Sequence, residues 1–299
     1  MREPLVSVVI ASVNGLPFIE ECLDALMAQD GSTPYEVVVV DCCGEATRRK
    51  IRTYPEDRVQ LLAVEGRPSI PRLRALGMVR ARGQMVAILE DHCNVVPGWI
   101  EVVARAHEAG VEALGGAVEN GSTERLVDWA VFFCEYARFM PPVARGVVPE
   151  ITGNNSVYHR RVLERLGEAL DEEVWESFLH QKLHEAGVEF HCDPDLLVSH
   201  KKEFGFGYFL SQRYHYSRSF AGMRMERARW WMRLAYAVST PALPPLLAYR
   251  IGRTVWGKGR HRGTLLRTIP VLGIFLLMWA WGEAVGALLG PGDSLEKVE

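Results

Sequence analysis

Several familiar signatures are missing from this chain, and each absence removes a class of chemistry. No Gly-x-Gly-x-x-Gly follows the first apolar run, so the dinucleotide fingerprint of oxidoreductases is excluded. No Walker-type loop is present, and no glycine-rich, lysine-containing phosphate loop near the first strand that a sugar nucleotidyltransferase would need. Six cysteines (Cys22, Cys42, Cys43, Cys93, Cys134, Cys192) form neither a Cys-x-x-Cys pair nor a regular framework. With no signal peptide before the first strand, they point to a reducing cytosolic setting, in which vicinal Cys42 and Cys43 read as small buried thiols. A formal charge of −3 argues against a nucleic-acid partner.

What is present is an alternation of short strands and helices. Val6 to Ala11 and Glu36 to Asp41 are β-branched runs separated by Phe18 to Ala28, which carries apolar residues at Ile19, Cys22, Leu23 and Leu26 in helical spacing. Further runs at Val59 to Val64 and Met85 to Leu89, with a helical pattern over Pro71 to Ala81 between them, extend a doubly wound α/β sheet. Right-handed crossovers put Asp41 and Glu90 on the same edge of that sheet.

The fourth run ends abruptly in Glu90, Asp91 and His92. Open α/β sheets bind ligands in the crevice outside the carboxyl ends of their strands, and two carboxylates with an imidazole suit Mn2+ or Mg2+ there. A solvated strand end with a helix-capping carboxylate is the competing reading of these residues taken alone.

Residues Ser7 to about Arg218 resemble the family 2 glycosyltransferases, with landmarks in the family's order. Ser7-Val8-Val9-Ile10-Ala11-Ser12-Val13-Asn14 is similar to the family's first strand and nucleotide loop. Val37-Val38-Val39-Val40-Asp41 is similar to its second strand, and the run from Leu73 through Arg74 and Gly77 to Gln84 to its Ala-Arg-Asn-x-Gly helix, with Ala75 where asparagine is usual. The family's metal-binding Asp-x-Asp falls on Glu90, Asp91 and His92. Thr152-Gly153-Asn154-Asn155-Ser156-Val157-Tyr158 resembles the acceptor-side strand. The stretch from Asp171 to Leu183 matches Glu-Asp-x-x-Leu-x-x-Arg-Leu with Glu176 at the base position and Trp175 in place of the preceding acid.

The resemblance implies an α/β fold of the GT-A type, a Rossmann-like mixed sheet flanked by helices with a hydrophobic helical tail, and an inverting transfer from a nucleotide-sugar donor. Ala11, Ser12, Asn14, Asp41, Arg74, Glu90, Asp91 and Arg218 would bind the donor. A divalent metal, Mn2+ or Mg2+, would be held by Glu90, His92 and His200, with His191 a rival for the last place. Gly153, Asn154, Asn155 and Trp175 would face the acceptor, and Glu176 would be the catalytic base. Position alone allows Glu176 to be a helix-capping glutamate, and the altered metal motif allows the alternative of an inactive, membrane-anchored nucleotide-sugar-binding scaffold.

Composition shifts after about Arg229, which divides the chain into a catalytic domain over 1–228 and a membrane-associated tail over 229–299. Within the tail, 230–249 reads as an interfacial segment whose Pro241, Pro244 and Pro245 spoil a straight helix. Residues 250–267 read as a basic connector, and 269–289 as a candidate transmembrane helix with Glu283 its only charge, long enough against the roughly 20 residues a bilayer requires. The expected setting is the cytoplasmic face of the cell membrane, where anionic lipids meet the basic connector and a glycan or lipid-linked acceptor is at hand. Packing of 269–289 on another protein subunit, through Gly273, Gly282, Gly286 and Gly290, is the alternative.

Overall fold

Runs of valine, isoleucine and leucine covered on both faces favour parallel strands, and β1 (Val6–Ser12) is buried at every residue. The computed structural model describes residues 3–66, 68–166 and 176–298. In chain order β1 is followed by α1 (Phe18–Met27), β2 (Tyr35–Asp41), α2 (Glu45–Ile51), β3 (Val59–Ala63), α3 (Ile70–Arg80) and β4 (Met85–Glu90). Next come β5 (Cys93–Val95), α4 (Trp99–Glu108), β6 (Ala113–Asn120), α5 (Leu126–Tyr136), β7 (Gly146–Val148), β8 (Asn155–His159), α6 (Arg160–Leu166) and α7 (Glu176–Glu185). The chain closes with β9 (Phe190–His200), α8 (Phe206–Arg224), α9 (Trp230–Ser239), α10 (Leu243–Lys258) and α11 (Arg262–Leu289).

Two compact units result, one from 1–121 with 139–201 and the other from 122–138 with 202–299. The expected boundary at residue 228 therefore falls inside the second unit.

The first unit holds one sheet in the order β3-β2-β1-β4-β8-β6-β9-β5, with β7 on β9. β3, β2, β1 and β4 run parallel, while β8 lies antiparallel to both β4 and β6. Register sets the tips side by side: Ser12 is opposite Asp41, Ala11 opposite Glu90, and His200 opposite Cys93. Two glycines permit close layers. A Cβ on Gly77 would stand 2.3 Å from Val9 Cγ1, where α3 packs on the sheet, and one on Gly116 would stand 1.7 Å from Leu196 O, at the irregularity between β6 and β9. Strand β6 has little β-branched character because Gly115 and Gly116 occupy its centre, so no apolar run announced it.

Away from the tips, Glu36 is buried and fully employed. It accepts from Ser7 Oγ (2.7 Å), Arg82 N (2.7 Å), Arg82 Nε (2.8 Å) and Gln60 Nε2 (2.7 Å), tying β1 and β2 to the turn before β4. Burial would raise its pKa, but the bonds from Arg82 and Ser7 outweigh that and hold the carboxylate below its ordinary range.

In the second unit, α11 packs on α8, α5, α9 and α10. Thr240–Ala242 is a 3-10 turn separating α9 from α10, and Pro244 and Pro245 fall in the first turn of α10, where a missing N–H costs little. Residues 250–267, expected as a connector, are helical instead: Arg250, Arg253 and Lys258 lie on α10, and Arg262 and Arg267 on α11. Arginine and lysine are good helix formers, and the reversal needs only the turn at Gly259 and His261, both at positive φ.

Candidate active site

Four strand ends of the first unit deliver the polar groups. Glu90 closes β4, His92 follows it by two residues, and His200 closes β9. His92 Nε2 and His200 Nε2 are 2.9 Å apart, and Glu90 Oε2 lies 3.3 Å from the first and 3.8 Å from the second. A cation about 2.0–2.2 Å from each ligand keeps neighbouring ligand atoms roughly 3 Å apart, so this donor set fits one. Among the described residues, these three offer ligand atoms that all lie within 4.8 Å of one another. His191, the rival to His200, sits at the opposite end of β9, paired with Val147 and Leu114.

Asp91 turns away from this cluster toward the loop after β1. Its Oδ2 accepts from the backbone of Val13 (2.9 Å) and Asn14 (2.8 Å), and its Oδ1 accepts from Asn14 Nδ2 (2.7 Å) and lies 2.9 Å from His92 Nδ1. Asp91, expected from sequence to bind the donor, thus spends its oxygens on the loop and on His92. It fixes the loop, and it fixes the His92 ring so that Nε2 points to Glu90 and His200. A carboxylate behind a ligating imidazole orients the ring and raises its basicity.

Electrostatics follow from this packing. Burial opposes charge on Glu90 and Asp91, yet the hydrogen bond and charge of His92 prevail and hold both carboxylates below their usual range; Arg74 adds to the effect on Glu90. Burial would lower the His92 pKa, but Asp91 and Glu90 raise it. Arg74 Nη2, from α3, is 3.2 Å from Glu90 Oε1, leaving Glu90 Oε2 to the histidines.

At the end of β2, Asp41 is fully buried with both oxygens in use, Oδ1 accepting from Ser12 Oγ (2.9 Å) and Oδ2 from Arg48 Nε (3.1 Å). Asp41, the residue expected at the base, is thus paired with Arg48, which stands on its carboxylate. Arg48 also donates to Glu65 Oε1 (2.7 Å) and Val64 O (2.8 Å). Nothing in the sequence marked it beyond a cation seven residues after Asp41, one turn into a helix too short for a periodic signal. Cys42 and Cys43 both donate to Ser12 O, at 3.5 and 3.3 Å, and Cys43 is exposed rather than buried because β2 has already ended.

The expected acceptor residues divide differently. Asn155 is completely buried: Nδ2 donates to Leu196 O (2.7 Å) and Ala117 O (3.2 Å), and Oδ1 accepts from Trp99 Nε1 (3.2 Å). It stitches β8 to its neighbours. Asn154 is buried as well, bonded to Thr152 Oγ1 (2.7 Å) and Cys93 Sγ (3.6 Å), while Gly153 is half-buried. Trp175 lies outside the described residues. Glu176 opens α7. Arg218 belongs to the second unit, where its Nε donates to Gly290 O at 3.3 Å.

Comparison with known proteins adds sequence kinship to this geometry. Residues 7–167 match the family model described as glycosyl transferase family 2. Succinoglycan biosynthesis protein ExoO of Rhizobium meliloti is 32% identical over 120 residues, covering 40% of this chain and 34% of that protein. The chain spans about a third of the length of such curated relatives. A mannosyltransferase from Pyrobaculum calidifontis, solved in complex with GDP-Man and Mn2+, superposes with a TM-score of 0.54 at 21% identity, over 97% of this chain and 86% of its own. TarS 1-349 of S. aureus, in complex with UDP-GlcNAc, gives 0.53 at 15% identity, over 94% and 90%. At these identities the likeness is one of fold, a mixed α/β sheet of the GT-A type flanked by helices.

Proposed function

This chain belongs to glycosyl transferase family 2, and on that premise we propose that it moves a sugar from a nucleoside-diphosphate donor to an acceptor hydroxyl with inversion. The meeting of Glu90, His92 and His200 at the carboxyl ends of the strands, beside the loop gripped by Asp91, is the observation that carries this reading. Those three residues would hold a divalent cation, which supplies positive charge opposite the leaving diphosphate. Two imidazoles in the set favour Mn2+ over Mg2+.

The remaining parts follow from chemistry. Ala11, Ser12 and Asn14 form the loop edge against the nucleotide, and Ser12 with the Asp41–Arg48 pair borders its base. Arg74 keeps Glu90 ionised and adds a fixed cation near the diphosphate. Glu176 acts as the base: the acceptor hydroxyl gives it a proton as the oxygen bonds to the anomeric carbon, and the bond to the diphosphate breaks on the opposite face with its electron pair on the phosphate oxygen. The start of α7 favours an ionised carboxylate there through the helix dipole.

The acceptor is a membrane-proximal or lipid-linked glycan, and the enzyme works on the cytoplasmic face, where nucleotide sugars are available. This part is supported by α11, 28 residues long and apolar enough to cross a bilayer. A calorimetric panel of nucleoside diphosphates and their sugars, with and without Mn2+, tests the reading. Mn2+-dependent binding of a nucleotide sugar, followed by its turnover, is expected; binding without any turnover by the intact chain would leave a scaffold, and no binding would reject the proposal.

A further inference from the structure

Within the second unit, the helix long enough to span a membrane has only one side free. Leu272, Leu276, Gly282, Glu283 and Gly286 of α11 are buried, and a Cβ on Gly282 would stand 2.5 Å from Tyr214 O, one on Gly286 2.3 Å from Arg218 O. The backbones of α11 and α8 are therefore in contact. Gly282 and Gly286, two of the glycines that sequence offered for a second subunit, are used inside the chain. Polar groups follow the same seam. Arg224 Nη2 is 3.0 Å from Glu283 Oε2, Trp279 Nε1 donates to Glu283 Oε1 at 2.7 Å, and Arg213 lies over the Trp279 ring at 4.0 Å. If α11 crossed the bilayer, it would draw Arg213, Arg218 and Arg224 of α8 into hydrocarbon with it, where charged side chains are expensive.

The opposite side of α11 is apolar and uncovered: Leu266, Ile269, Ile274, Leu277, Trp281 and Leu288 are exposed. They form a stripe of roughly 33 Å at 1.5 Å per residue. α9 has no buried residue at all, with Trp230 76% and Val238 72% exposed. On α10, Leu246, Tyr249 and Trp256 are exposed, and Arg250 and Arg253 share their face by three- and four-residue spacing. From Arg227 to Gly282 the sequence carries eight arginines and one lysine and no acidic residue. Tryptophan and tyrosine beside arginine, without acids, complement anionic headgroups over an acyl-chain boundary.

We infer that the second unit lies in the plane of one leaflet, with the exposed stripes of α9, α10 and α11 immersed at the headgroup boundary and no helix crossing the bilayer. This rests on the membrane-bound reading above and fixes its geometry. A lipid-borne acceptor would then be reached by lateral diffusion within the same leaflet.

The experiment uses the full chain. Flotation with phosphatidylcholine vesicles, with and without phosphatidylglycerol, should show binding that depends on the anionic lipid, and Arg250→Glu with Arg253→Glu should weaken it by about twentyfold or more, from about fivefold per cation. Absence of binding to either vesicle, or a stable dimer in lipid-free buffer that ignores vesicles, overturns the membrane reading and this inference together. Sealed inside-out membranes carrying Arg260→Cys or Glu296→Cys are then treated with a membrane-impermeant maleimide, and labels are read by peptide mass spectrometry against exposed Cys43. Labelling of all three sites from one face supports the in-plane arrangement. Protection of position 296 alone means one span, and protection of position 260 means a helical hairpin; either overturns the inference and leaves membrane attachment standing. Tryptophan quenching by bromolipids measures the depth of the unaltered chain: shallow bromines should quench most, and dominance of deep bromines would contradict the in-plane arrangement.

Discussion

The two units dispose of apolar surface in opposite ways. Every residue of β1 is buried, and Trp99 of the same unit is sealed with its indole N–H on Asn155, whereas α9 hides no residue and shows Trp230 outward. The first unit covers its own apolar strands and engages both oxygens of Asp91 and of Glu36. The second buries α11 against α8, α5, α9 and α10 on one side and leaves the outer sides of α9, α10 and α11 for another medium. Equal hydrophobicity along a sequence thus means core in one place and contact surface in another, and the difference is decided by what the neighbouring elements cover.

The largest expected effect falls on chemistry. Glu176→Gln should lower transfer by about a thousandfold, the middle of the range for a lost general base, while calorimetry shows donor binding retained. Next comes a direct contrast between the units. Trp99→Ala should cost about 4 kcal/mol in denaturant unfolding, and Trp230→Ser less than about 0.5 kcal/mol, since only the first leaves a cavity. Equal losses would break the comparison.

A pH titration of stability gives the third. His180 is buried against Tyr158 (2.7 Å), and burial, with the charge of His184 adding, pushes its pKa down to about 4. As pH falls below about 6.5 the unfolded chain takes up the proton first, so stability declines until the folded form also protonates near pH 4. The full loss is about 3 kcal/mol, present below that range and absent above it. In His180→Phe the slope in this window should flatten. Smaller again, Asp91→Asn should weaken Mn2+ binding by about tenfold or more through the loosened His92 ring, measured by calorimetry.

How much of this was legible in the sequence follows the same division. The four parallel strands announced themselves because uninterrupted Val, Ile and Leu runs alternate with helical spacing, and register then placed Asp41 and Glu90 together. β6 did not, because two central glycines serve close packing rather than propensity. Residue types at the tip were readable as candidate ligands, but that Glu90 faces the histidines while Asp91 turns to the loop was not: it depends on a loop 77 residues earlier in the chain, at Asn14. That Asn155 stitches strands together was not readable, since a buried amide and an exposed one are written with the same letter. In the tail, a basic run suggested a connector where helix propensity carried α10 to Lys258 and started α11 at Arg262.

On the proposed function, Glu90, His92 and His200 form one cation site serving nucleotide-sugar transfer. Calorimetric titration of Mn2+ into the intact protein and into His200→Ala, each with the preferred nucleoside diphosphate present, tests it most directly. A single Mn2+ site is expected in the intact chain, weakened at least about tenfold in the variant with its thermal stability largely retained. Identical Mn2+ affinity in the two proteins would contradict the claim.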